Sequence, residues 1–315
     1  MPWLLSGLGL VILLLAGDAL VKGAVNLSLR LGVPALIVSL TIVAFGTSAP
    51  ELLISVQAIL DNAPGLALGN VVGSNTANIL LVLGIPAILA RMHTSECNTK
   101  KTYNQMIAAS VLFIALAFRG VFDMLAGAIL LGALGLMLWD AGKEARRHRN
   151  ACRGDLVDDD LEGADPDMPW PKVVIFLVLG LVGLPLGANI LVENATIIAR
   201  TYGVSETAIG LTLVAIGTSL PELATTVMAA LRRQADVALG NVIGSNMFNL
   251  LAIVGIASFV GPIHVDPSFL RFDLWVMLGA SVLLMPFVYF GFDLSKRWGF
   301  ALTALYLAYL TAVLG

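Results

Sequence analysis

Apolar residues run along this chain in long unbroken stretches, with no alternation of apolar and polar positions, and short polar segments divide the stretches. They fall near residues 3–24, 33–60, 66–90, 104–119, 122–142, 171–199, 204–231, 236–260, 270–291 and 298–315, on the scale a helix needs to cross about 30 Å of hydrocarbon. A helix satisfies its own backbone in lipid, which an open strand does not. The pattern therefore predicts an all-α membrane protein with ten transmembrane helices.

One stretch occurs twice. Residues 41–80 read TIVAFGTSAPELLISVQAILDNAPGLALGNVVGSNTANIL and residues 212–251 read TLVAIGTSLPELATTVMAALRRQADVALGNVIGSNMFNLL. A constant offset of 171 residues lays Glu51 on Glu222, Asn70 on Asn241 and Asn78 on Asn249 without a gap, and about half of the positions are identical. Such internal similarity marks a duplicated unit. Each copy places one carboxylate directly after Gly-Thr-Ser-x-Pro inside an apolar segment, where a charge is costly.

Composition agrees with the pattern: 58% of the 315 residues are hydrophobic and only 12% charged, with mean hydropathy +0.91. A soluble domain cannot bury that much apolar side chain. Counted on alternate sides of ten spans, all Lys and Arg except Arg119, Arg200 and Arg271 share one side. The positive-inside rule makes that side cytoplasmic and puts both termini outside. Met1-Pro2-Trp3 offers no basic region ahead of the first apolar run, so no cleaved signal is expected. Cys97 and Cys152 fall in expected loops and read as free thiols.

Residues 33–60 would exceed the bilayer as one straight helix. Pro50 lacks an N–H and crowds the carbonyl of Gly46, so the helix is expected to break there and free carbonyls around Ala44 to Thr47. Gly217 and Pro221 repeat the device in the second copy. On the next span Gly69 and Gly73 form a small-xxx-small face for close helix approach. Asn70, Ser74 and Asn78 make a polar stripe at intervals of four, while Asn75, like Asn246, lies off it and reads as an interhelical hydrogen-bonding residue. Asp18 and Lys22 read as an ion pair on the helix surface. Residues 143–169 form a hydrophilic connection, basic and then acidic. Asp158, Asp160, Glu162 and Gly163 imitate the start of a Ca²⁺ loop, but Pro169 stands where that loop needs a bidentate Glu, so a solvated linker is expected.

This divides the chain into a first five-helix unit at 1–142, a cytoplasmic connection at 143–169 and a second unit at 170–315. Five spans is an odd number, so the second unit enters the membrane inverted, the arrangement in which secondary transporters place a site where two broken helices meet. Such a site gathers Glu51, Glu222, Thr47, Ser48, Thr218, Ser219, Ser74, Ser245, Asn78 and Asn249 with freed carbonyls, all of them oxygen donors. That set suits a hard cation such as Ca²⁺, whereas Zn²⁺ or Cu⁺ would want His or Cys, and His93, His148 and His264 are expected in loops. Two carboxylates balance one Ca²⁺ or two Na⁺, and an empty site would strand both charges, which points to obligatory exchange.

GTSAPEL with GNVVGSNTANIL, and GTSLPEL with GNVIGSNMFNLL, resemble the alpha repeats of the calcium/cation antiporter superfamily, nearest its sodium/calcium exchanger branch. Both repeats and, through span order, nearly the whole chain share the likeness. The resemblance implies alternating access, ligands at the positions named above together with the carbonyls of Ala44 and Ala215, and no cofactor beyond the transported ions. Asn249 stands where many members have Asp, which leaves the Na⁺ count and any K⁺ coupling open. The expected function is a secondary antiporter that exchanges Na⁺ for Ca²⁺ and extrudes Ca²⁺, working as a monomer in the lipid bilayer of the plasma membrane, or the inner membrane of a bacterium. Exchange of Ca²⁺ for H⁺, or K⁺-dependent exchange, is the alternative. A passive channel fits the twin breaks less well. Catalysis is not expected, for no nucleophile sits beside a base, and neither is a nucleic-acid partner.

Overall fold

The structure, a computed structural model, describes residues 1–94, 97, 99–151, 165, 167–203 and 215–314. Apart from two very short strands, the regular elements among the described residues are helices. In chain order the main helices are α1 (Pro2–Leu31), α2 (Ala35–Thr47), α3 (Ala49–Leu60), α4 (Pro64–Leu89), α5 (Lys100–Ala117), α6 (Met124–Ala151), α7 (Trp170–Thr201), α8 (Ala215–Thr218), α9 (Leu220–Leu231), α10 (Ala235–Val260), α11 (Phe269–Tyr289) and α12 (Lys296–Leu314). Among the described residues six are long and apolar enough to cross a membrane, and the bent pair α2 and α3, which turns by 42°, makes a seventh. Helix α5 opens on the polar run KKTYNQ, and the expected span at 204–231 is described only from 215.

Burial sorts the helices into inner and outer. The apolar windows of α4 and α10 are 83% and 89% buried, against 39% for α1 and 28% for α6 and α7. The duplicated polar helices are therefore the centre of the molecule. Their outer neighbours show Leu4, Leu15, Leu136, Trp139 and Val174 on the surface, as lipid-facing helices do. Helices α1 and α7 pack together through glycines: a Cβ on Gly180 would lie 2.8 Å from the Cα of Leu20, and one on Gly187 2.8 Å from the backbone nitrogen of Leu13. Close backbone approach gives dispersion contact that lipid cannot compete away.

Two short backbone clips tie the helix ends. Val121–Phe122 pairs antiparallel with Ile263–His264 just after α5, and Met92 exchanges two 3.1 Å hydrogen bonds with Leu294 just before it. Two-residue pairings of this kind leave no periodic signal in the sequence. Helix α6 runs through KEARRHR to Ala151, beyond the expected boundary at 142, because those residues favour helix once outside lipid. His148 thus sits on a helix and His264 on a strand, while His93 lies in a loop as expected. Asp158, Asp160, Glu162, Gly163 and Cys152 lie outside the described residues. Cys97 donates its thiol to the His93 carbonyl at 3.8 Å.

The expected pair Asp18 and Lys22 forms at 2.9 Å, and the guanidinium of Arg232 also donates to Asp18. The residues 171 positions away from Asp18 and Arg232 are Asn189 and Asp61, which cannot make the same ion pair.

The small-xxx-small face differs between the copies. A Cβ on Gly244 would stand 2.5 Å from the carbonyl oxygen of Leu40, and one on Gly240 2.8 Å from that of Leu36, whereas one on Gly73 would meet nothing within 4 Å. Gly244→Ala is expected to lower stability by about 1–3 kcal/mol through overpacking, while Gly73→Ala leaves it within about 0.5 kcal/mol. Unfolding of the two variants in detergent checks the contrast.

Candidate functional site

Both copies break at the expected place. Ser48 and Ser219 share the same non-helical backbone, φ −85° and ψ 3°, and each precedes a helix that carries Pro in its first turn. Pro50 and Pro221 cannot donate to the carbonyls of Gly46 and Gly217. Ala44 behaves otherwise than expected: its carbonyl still accepts the Ser48 N–H at 3.1 Å and the Thr47 hydroxyl at 3.3 Å. Ser48 keeps its N–H, so the ladder survives at Ala44, while the carbonyls opposite the prolines lose their donors. Ala215 begins α8, and Ser219 N–H reaches past it to the Ile216 carbonyl at 3.0 Å.

The break puts Glu51 in the first turn of α3 and Glu222 in the first turn of α9. A helix N-terminus carries partial positive charge, which favours an anion at that position. Both carboxylates are buried, 1% and 0% exposed. Glu222 Oε1 accepts the Ser48 hydroxyl from the other copy at 3.2 Å and the Ser245 hydroxyl at 3.5 Å. Thr47 Oγ1 lies 3.4 Å from Ser245 Oγ and donates to Asn241 Oδ1 at 3.3 Å. Thr47, Ser48, Glu222 and Ser245 thus meet directly across the two copies.

The remaining oxygens are conspicuous for what they do not bond. Glu51 Oε1 and Oε2, Glu222 Oε2, Ser219 Oγ, Asn78 Oδ1 and Asn249 Oδ1 are buried without a hydrogen-bond partner. An unsatisfied buried acceptor costs about 1–3 kcal/mol, more when charged. Ser74 and Thr218 line one cavity of about 340 Å³, together with Gly69, Gly73, Asn70 and Asp273. No group of three or more His, Cys, Asp and Glu side chains is placed to hold a metal ion among the described residues. A cation held by the two carboxylates would thus complete its shell from hydroxyl, amide and carbonyl oxygens.

Asn70 and Asn241 work behind the site. Asn70 Nδ2 donates to the Glu51 carbonyl at 3.1 Å and to Ser55 Oγ at 3.0 Å, and Asn241 Nδ2 donates to the Glu222 carbonyl at 3.4 Å and to Thr226 Oγ1 at 3.2 Å. Each asparagine lies nineteen residues after its glutamate, a spacing visible in the sequence, but the target is a backbone atom, which a side-chain pattern does not reveal. The stretches Asn78–Val82 and Asn249–Ile253 wind as π-helix, again at matched positions. Such turns occur often at functional sites.

A family model described as sodium/calcium exchanger protein matches residues 1–140 and 172–315. The chain belongs to the sodium/calcium exchanger family. It is therefore a multi-pass membrane antiporter of Ca²⁺ and another cation; members of this family are transporters, not enzymes, and need no cofactor. Sodium/calcium exchanger MaX1 of Methanosarcina acetivorans is 34% identical over 97% of this chain and 96% of its own length. Inner membrane protein YrbG of Escherichia coli is 34% identical over 87% and 85%. A solved structure of the sodium-calcium exchanger NCX_Mj, soaked with Na⁺ and Sr²⁺, superposes with TM-score 0.82 at 28% identity and covers 98% of this chain and 97% of that one.

Asn241→Leu is expected to cost about 1–3 kcal/mol of stability, since it removes two donated bonds and takes an acceptor away from the Thr47 hydroxyl. Asn70→Leu, which breaks no bond to the other copy, is expected to cost less. Chemical unfolding in detergent micelles checks the order.

Proposed function

We propose that this antiporter exchanges Na⁺ for Ca²⁺ by alternating access through ten spans, arranged as two inverted five-helix units at 1–142 and 170–315 joined by the cytoplasmic connection at 143–169. Its ions are held by Glu51 and Glu222 with Thr47, Ser48, Ser74, Asn78, Thr218, Ser219, Ser245 and Asn249. The Ala44 carbonyl, already accepting the Ser48 N–H, is a weaker ligand than the side chains, and Ala215 is its counterpart. The observation that carries the reading is the set of buried oxygens without partners around two buried carboxylates that, among the described residues, form no ion pair. Hydrogen-bond donors would leave a different pattern.

The same charges explain why cargo is exchanged. Stranding two carboxylates in a low-dielectric interior costs several kcal/mol, and about 4 kcal/mol already makes an empty crossing roughly a thousand-fold rarer. One Ca²⁺ or two Na⁺ removes the penalty equally well. With Na⁺ flowing inward, and both termini outside as the Lys and Arg distribution implies, net transport moves Ca²⁺ out of the cytoplasm as a monomer in the plasma or bacterial inner membrane.

A second reading, exchange of Ca²⁺ for H⁺, is favoured by one feature: Glu51 and Glu222 are both buried, and a proton, like a metal cation, removes the charge of a buried carboxylate. Vesicles loaded with Na⁺ are expected to take up radiolabelled Ca²⁺ when diluted into Na⁺-free buffer, and vesicles holding only a pH gradient are not. Glu51→Gln and Glu222→Gln are each expected to reduce that uptake by about 100-fold or more, because breaking a buried charge set costs about 3–5 kcal/mol. Wild-type flux in either variant would remove the ligand assignment, and uptake driven by the pH gradient alone would replace Na⁺ with H⁺.

A further inference from the structure

Four buried asparagines at matched positions, Asn75 and Asn78 with Asn246 and Asn249, meet where α4 crosses α10. Asn75 Nδ2 donates to the Asn246 carbonyl at 3.1 Å, and Asn246 Nδ2 to the Asn75 carbonyl at 3.4 Å. Asn249 Nδ2 then donates to Asn75 Oδ1 at 3.0 Å, and Asn78 Nδ2 to Asn246 Oδ1 at 3.0 Å. Each central amide thus uses both of its ends. Each outer amide spends its NH₂ and keeps Oδ1 buried and unbonded.

These bonds have a direction. An amide's two ends are nearly the same size, and only the bonds it makes fix which end faces where. A backbone carbonyl can only accept, so it fixes the NH₂ of the central amide toward itself. That leaves the central oxygen to accept from the outer amide, whose own oxygen is then the end left for a cation. Without the central acceptor the outer amide could rotate and offer a donor, which a cation repels. The chain of bonds runs from the Asn246 carbonyl through Asn75 to Asn249, and from the Asn75 carbonyl through Asn246 to Asn78.

We propose that Asn75 and Asn246 are positioning residues that fix, crosswise between the two copies, which end of the Asn249 and Asn78 amides faces the transported ion. This rests on the reading of Asn78 and Asn249 as ligands. It makes a pairing rule that sequence proximity does not: Asn75 acts through Asn249, 174 residues away, and not through Asn78 on its own helix.

The experiment measures Na⁺-driven Ca²⁺ uptake in reconstituted vesicles for Asn75→Ala, Asn249→Ala and Asn78→Ala, and for the doubles Asn75→Ala/Asn249→Ala and Asn75→Ala/Asn78→Ala. Asn75→Ala is expected to raise the KM for Ca²⁺ about tenfold, the scale of one lost polar contact, with maximal rate changed less than about twofold. The crossed double is expected to match the Asn249→Ala single, while the double with Asn78 multiplies the two effects. If Asn249→Ala leaves KM unaltered, the ligand reading itself fails. If Asn249→Ala raises KM but Asn75→Ala does not, or if the crossed double multiplies, the positioning role alone is overturned. Asn75→Leu, close to the amide in volume, replaces the alanine variant should that one not fold. If neither folds, Asn75 is a structural tie and the proposal is overturned.

Discussion

Two carboxylates held away from water, with no ion-pair partner among the described residues, are the constraint to which the rest of this protein answers. Glu51 and Glu222 are almost wholly buried, and charge at that depth costs several kcal/mol per group. Local structure offsets part of it. Each acid sits at the N-terminus of a helix that a proline has restarted, so the backbone supplies partial positive charge without bringing a Lys or Arg that would compete with a cation. The helix break is thus tied to the acid it serves.

A second set of forces holds the two copies against each other. In lipid the apolar surfaces of helices gain little by meeting, so small residues and buried amides carry the specificity of contact. Here α4 and α10, the most buried of the long apolar helices, are joined by four asparagines, each of which donates to an oxygen of the other helix. Behind each acid another asparagine fastens the backbone of the acid itself to the neighbouring helix. The duplicated GNxxGSNxxN segment is therefore a fastening and a lining at once.

Much of this was legible in the chain, for reasons that can be named. A Glu inside an apolar run, repeated after a constant offset and preceded each time by Pro, has few physical explanations. Asn75 and Asn246 were readable as interhelical ties because they lie off the polar stripe. The carbonyl of Ala44 was not: whether it stays in the ladder depends on the N–H of Ser48, which turns only after the ladder has closed on Ala44. Nor does sequence separate Gly73 from Gly244, since both copies spell the same motif and the difference lies in what packs against it. The π-helical turns at Asn78 and Asn249 and the two-residue strands have no periodic signature at all.

The ion pair of Asp18 with Arg232 is not repeated by that duplication: its matched positions, Asn189 and Asp61, hold no cation between them. Should the two units trade shapes during turnover, as the proposed alternating access requires, this clasp would open and Asn189 and Asp61 could form no equivalent. Partly exposed contacts of this sort are worth about 1 kcal/mol, enough to skew the idle population about fivefold toward one posture. A machine assembled from near-twin halves would then have a preferred resting pose, and ions arriving at the disfavoured mouth would find fewer molecules ready to receive them.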